Sequence, residues 1–76
     1  MEQKNRFESK YREIGQNITF YRRKQGMTQE MLAYRLNISR SHLAAIEAPN
    51  SSRHLSMDMF FRIADELDVS PEELLK

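Results

Sequence analysis

Cysteine is absent from this 76-residue chain, so neither a disulfide nor a thiolate metal site can staple so short a sequence together. That absence also suits a reducing compartment. Long hydrophobic runs are absent too. No window approaches the roughly 18 apolar residues that span a bilayer, and the first fifteen residues are charged and lack the apolar stretch of a secretory signal. A soluble, cytoplasmic protein with no membrane partner is expected. Glycine and proline are scarce, two of each, which favours helices joined by short turns. The length itself is a shortage: one core can be filled, not two, and a domain of this size buries only roughly 60 to 65% of its unfolded surface.

What is present is charge, unevenly placed. Residues 1–41 carry nine Lys or Arg against four acids, a balance of +5, while residues 42–76 carry three bases against seven acids, a balance of −4. The overall charge of +1 conceals this polarity. A basic half suggests a polyanionic partner on that side.

Residues 1–8 (MEQKNRFE) are polar and charged and are read as a flexible arm or helix extension, with residues 9–76 as the folded domain. Tyr11, Ile14, Ile18 and Tyr21 recur at spacings of three, four and three, one face of a first helix. Arg22, Arg23 and Lys24 suit its C-terminal dipole, and Gly26 stands where a left-handed cap belongs. Thr28 caps a second helix, with Met31, Leu32, Ala33 and Leu36 on its apolar face. Asn37 tolerates positive φ at that helix's end, and Ile38 plugs the turn. Ser39 caps a third helix, about 39–48, with Leu43 and Ile46 inward, closed ahead of Pro49. After a polar loop, Ser56 caps a fourth helix carrying Met59, Phe60, Ile63, Ala64 and Leu67. Ser70-Pro71-Glu72-Glu73 then starts a short fifth helix: Ser as cap, Pro at the first position and Glu at the third. The fold class expected is all-α, five helices, with helices 2 and 3 bent against each other. The methionines are read as core filling. Phe20, with Phe60 or Phe61, is read as a partly exposed aromatic patch.

Two helices joined by a tight turn place the second in a DNA major groove, its first turn against base edges. The polar first turn Arg40, Ser41, His42 fits that use, with Leu43 and Ile46 holding the bend. The stretch GMTQEMLAYRLNISRSHLAAIE, residues 26–47, resembles the helix-turn-helix of the Cro and lambda-repressor type, also called the xenobiotic-response-element family. IGQNITFYRRKQGMTQE looks like that family's first helix and LSMDMFFRIADELDVSPEELL like its fourth and fifth, so the resemblance spans residues 14–75.

The resemblance implies roles residue by residue. Gln29 matches a glutamine that contacts a backbone phosphate, reinforced by the helix N-terminus, with the cap residues Thr28 and Ser39 on the same phosphate-facing side. Arg40 and Ser41 match first-turn base contacts, Ala44 and Ala45 the next outward turn, and His42 stands beside them. An arginine there suits guanine O6 and N7, and an alanine suits a thymine methyl. Arg22 and Glu47 match a structural ion pair. The loop residues Asn50, Ser51 and Arg53 would face the sugar-phosphate backbone, and Lys4 and Arg6 lie in the arm. The sequence departs from the family at two places. Asn37 replaces the usual turn glycine, and EAPN stands where a glycine commonly follows the recognition helix.

The expected function is sequence-specific binding of double-stranded DNA, an inverted-repeat operator, by a homodimeric bacterial or phage transcriptional regulator acting as a repressor. An antitoxin or a restriction-modification controller would use the same binding mode, and a helical protein-interaction module without DNA binding is the alternative of a different class. No nucleophile, base and orienting group are grouped as an enzyme requires. His42 and His54 have no partner at metal-ligand spacing, so neither a cofactor nor a metal is expected.

Overall fold

The computed structural model describes residues 7–48 and 55–76. Five helices follow one another: α1 (Glu8–Lys24), α2 (Gln29–Leu36), α3 (Arg40–Glu47), α4 (Met57–Leu67) and α5 (Pro71–Leu75). There is no strand among the described residues.

Three of the connections are built from one tripeptide pattern, Gly26-Met27-Thr28, Asn37-Ile38-Ser39 and Asp68-Val69-Ser70. The first residue of each takes a left-handed conformation, with φ of 72°, 60° and 57°. That reverses the chain and lets the following N–H reach back five residues, Met27 to the Arg22 carbonyl, Ile38 to Ala33 and Val69 to Ala64, each at 3.0 Å. The second residue is apolar and packs on the core. The third starts the next helix. Thr28 Oγ1 accepts from the Met31 N–H and Ser39 Oγ from the His42 N–H, both at 3.0 Å. Ser56 caps α4 in the same way. Ser70 does not, contrary to its sequence pattern: its side chain makes no capping bond. The Glu73 N–H that its hydroxyl would accept is taken by the Ser70 carbonyl at 3.0 Å, so Pro71 at the first position carries the start alone.

The core is one cluster assembled from every helix. α1 contributes Ile14 and Ile18, α2 Leu32, Ala33 and Leu36, α3 Leu43 and Ile46, α4 Phe60, Ile63, Ala64 and Leu67, and α5 Leu74, with Met27 entering from the first turn. Each large aliphatic side chain so buried contributes about 1.5 to 3 kcal/mol relative to exposure. Side chains also close helix ends: the Gln25 amide donates to the Leu67 carbonyl and the Arg62 guanidinium to the Leu36 carbonyl.

Two expectations about apolar residues need correction. Met27 is core, but Met31 and Met57 are 44% and 63% exposed; they lie on helix faces that turn away from the cluster, so the methionines do not act together as filling. Of the two phenylalanines named with Phe20, Phe60 is buried and belongs to the core, while Phe61 is exposed. Phe20, 57% exposed, meets the Tyr21 ring edge-on at 5.0 Å and carries the Lys24 ammonium 5.8 Å above its own ring.

Candidate nucleic-acid interface

The bend between α2 and α3 is braced from below by α1. Gly15 makes this possible: a Cβ there would stand 2.7 Å from the Ile46 carbonyl oxygen and 3.2 Å from that of Glu47, so only glycine lets α1 lie directly against the end of α3. One turn on, the Glu47 carboxylate of α3 collects donors from α1 and α2. Arg22 Nε donates to Oε2 at 2.9 Å and Arg22 Nη2 to Oε1 at 3.0 Å. Gln29 Nε2 donates to Oε1 at 3.0 Å, and Thr19 Oγ1 stands 2.9 Å from the same oxygen. The remaining guanidinium nitrogen of Arg22, Nη1, donates to the Met27 carbonyl at 2.9 Å. Both charged side chains are buried, and no buried side-chain polar atom among the described residues lacks a partner. A forked, fully hydrogen-bonded pair of this kind fixes the angle between α2 and α3 as well as neutralising the charge beneath them.

Above this brace lie two adjoining shallow grooves. The first surrounds the N-terminus of α2, bounded by Arg22, Arg23, Thr28, Gln29, Glu30 and Arg40. The second runs between α1 and α3, with Gln16, Thr19 and Arg23 on one wall, Gln29 at its head, and Ala44, Glu47 and Ala48 below. Arg22, Arg23 and Gln29 border both. The unbonded N–H groups that open α2 and the two exposed guanidinium groups make this an anion-seeking face.

The residues singled out from sequence fall on it unequally. Thr28, Gln29 and Arg40 border the first groove, and Gln29 and Ala44 the second. Ser41 is exposed on the first turn of α3, with His42 and Ala45 half-buried beside it. Ser39 and Thr28 each accept a capping bond and keep a hydroxyl proton to donate outward. Asn50, Ser51 and Arg53, like Lys4, Arg6 and His54, lie outside the described residues. Gln16, Thr19 and Gly15 carried no assignment from sequence, and Arg23 was read only as a complement to the helix dipole. The signal was available: positions 16, 19 and 23 share one face of α1, distinct from the apolar face through Ile14, Ile18 and Tyr21. Among the described residues, no three His, Asp or Glu side chains converge as a metal site would require.

Solved structures with this architecture are informative at this point. C.AhdI, the restriction-modification controller protein of Aeromonas hydrophila, is 29% identical, over 87% of this chain and 97% of its own, with a TM-score of 0.78. SinR, a master regulator for biofilm formation solved in complex with DNA, is 33% identical over 83% of this chain and 98% of its own, with a TM-score of 0.74. C.Esp1396I, seen in a nucleoprotein complex, is 32% identical over 87% and 94%, with a TM-score of 0.69. No curated protein sequence matches the chain. The model of the helix-turn-helix domain family matches residues 15–76, which takes in the brace, the bend and both grooves, and the chain belongs to that family.

Proposed function

We propose that this chain is the sequence-specific, double-stranded-DNA-binding domain of a bacterial or phage transcriptional regulator, acting as a repressor in the cytoplasm. The observation that carries the reading is the Arg22–Glu47 brace with Gln29 bonded into it. It fixes the N-terminus of α2 and the first turn of α3 on one face, the pair of positions that must meet a phosphate and the base edges together. Related proteins support it, since SinR was solved with DNA and a point mutant of C.Esp1396I was solved on an operator site. In this reading Arg40, Ser41, His42, Ala44 and Ala45 face the bases. Gln29, Thr28, Ser39 and the loop residues Asn50, Ser51 and Arg53 face phosphates. No helix among the described residues is long and apolar enough to cross a membrane.

The regulator acts as a dimer on an inverted repeat, with half-sites about one helical turn, roughly 34 Å, apart. Selection of bound sequences from a random duplex pool tests this directly. An enriched palindromic motif of that spacing is expected, and Arg40→Ala should relax preference at one base pair by roughly 1 to 3 kcal/mol. A pool that emerges without enrichment would overturn the reading. Among regulatory roles, control of a restriction-modification system is the second reading to test. It is favoured by the likeness to C.AhdI and C.Esp1396I along nearly their whole lengths.

A further inference from the structure

We infer that α1 is part of the DNA interface, with Gln16 and Arg23 holding the sugar-phosphate strand that passes the C-terminal half of α3. This rests on the DNA-binding reading above and extends its footprint beyond the helix-turn-helix itself. Four observations carry it. The groove between α1 and α3 is lined by Gln16, Thr19 and Arg23 from α1 and, on the α3 side, by Ala44, Glu47 and the C-cap Ala48, so beyond Glu47, which is buried at its base, that side presents only methyl groups to a strand. The carboxylate at its base would repel a phosphate, but Glu47 is neutralised by Arg22 and its oxygens are occupied by Arg22, Gln29 and Thr19.

Arg23 is exposed and pairs with no carboxylate among the described residues, so its guanidinium is free to take two oxygens of one phosphate. Gln29 sends one amide N–H to Glu47 and keeps a second where both grooves meet. A strand lying there is therefore met by α1 on one side and α2 at its head. Lys24, by contrast, has its ammonium drawn over the Phe20 ring and is not assigned this role. α3 is then clasped at both ends, by the groove beside Arg40 and by the groove beside Ala48.

The test is equilibrium binding, by fluorescence anisotropy, to the selected operator and to a mixed-sequence duplex across a salt series. Wild type is compared with Arg23→Ala, Gln16→Ala and Lys10→Ala; Lys10 is an exposed cation of α1 that borders neither groove. Arg23→Ala should weaken binding to both duplexes by the same factor, roughly tenfold, and lower the salt slope by about one. Gln16→Ala should weaken both by a smaller common factor with the slope kept, and Lys10→Ala should match wild type. A neutral methylphosphonate walked along the operator should locate one position where wild type loses affinity and Arg23→Ala loses no more. If Arg23→Ala binds with wild-type affinity and slope while Arg40→Ala still alters base preference, the α1 contact is wrong and the DNA-binding reading stands. A changed sequence ranking in Arg23→Ala would make it a base contact and overturn the inference as well. Absence of salt-dependent duplex binding by wild type would remove both together.

Discussion

Glu47 decides more about this molecule than any residue that faces outward. Its carboxylate is buried, so removing its cation would leave an uncompensated charge inside a small core. Arg22→Met is expected to destabilise by about 3 to 5 kcal/mol, and the double replacement Arg22→Met, Glu47→Leu to recover much of that loss, because two apolar groups need no partners. Denaturant unfolding of the three proteins measures it. A double variant no more stable than Arg22→Met would mean that packing, rather than charge, dominates the site. Even a stable double variant should bind DNA poorly, since Gln29 loses the acceptor that holds it at 3.0 Å.

Gly15 is the other decisive single position. An added methyl group would sit 2.7 Å from a backbone oxygen, which cannot swing aside as a side chain can. Gly15→Ala should therefore destabilise by about 1 to 3 kcal/mol, although alanine is the better helix former by roughly 1 kcal/mol. An unchanged melting temperature would show that α1 can shift away from α3 freely. The pairing of Arg22 with Glu47 followed from the family resemblance, 25 positions apart in sequence. Gly15 gave no such sign, because a glycine inside a helix pattern reads as a weakness until the backbone it touches is known.

At the scale of elements, the helices were legible because their ends are written in side-chain chemistry. Thr28, Ser39 and Ser56 announce starts, and Gly26 and Asn37 announce reversals, and all five do so in the structure. Asp68 is the reversal that its residue type does not announce. It adopts φ 57° in a tripeptide equivalent to the other two, but an aspartate in sequence suits a helix start, a turn or an exposed face as readily as a left-handed cap. Residues 49–54, PNSSRH, lie outside the described residues, and their sequence offers no apolar period from which an element could be read.

Asp68 makes a prediction of its own. It is strained by its left-handed backbone and places a negative charge at the C-terminus of α4, where the helix dipole is also negative. Asp68→Gly relieves both effects and gives back part of the gain as chain entropy, so a net stabilisation of up to about 1 kcal/mol is expected. Asp68→Ala removes only the charge and should be less stable than Asp68→Gly. Thermal unfolding of the pair decides it, and the reverse order would place the strain elsewhere.

Over the whole molecule, the near-zero net charge hides a division of labour. The grooves proposed for DNA are bordered by α1, α2 and α3, where the basic residues collect, while α4, α5 and the turn between them carry six of the eleven acids against two bases, Arg62 and Lys76 at the very end. α5 is too short to be helical alone. It stays in place through Leu74 and through polar bonds from α1: Asn17 Nδ2 donates to the Leu74 and Lys76 carbonyls, each at 2.9 Å, and the Tyr21 hydroxyl donates to Glu73 Oε1 at 3.0 Å. Because α5 and α3 both pack on α1, the tether on one side steadies the helix that braces the other. Its strength should depend on pH.

The hydrogen bond from Lys76, and after it that from Tyr21, holds the Glu73 carboxyl below its ordinary value of 4.5. The bond to Glu73 raises the Tyr21 hydroxyl above its ordinary 10.0. A depressed carboxyl stabilises the fold above its unfolded value and loses that contribution as the pH falls through the depressed one. A raised hydroxyl stabilises below its unfolded value and loses that contribution as the pH rises through the raised one. The tether is therefore strongest on a plateau between 4.5 and 10.0 and loosens at both ends. Tyr21→Phe should lower the melting temperature on the plateau, with the gap to wild type narrowing as the medium is made acid enough to protonate Glu73. Melts of both proteins over a pH series check it. A gap that stays constant into acid would mean that Tyr21 holds α5 by its ring alone, with the Glu73 charge playing no part.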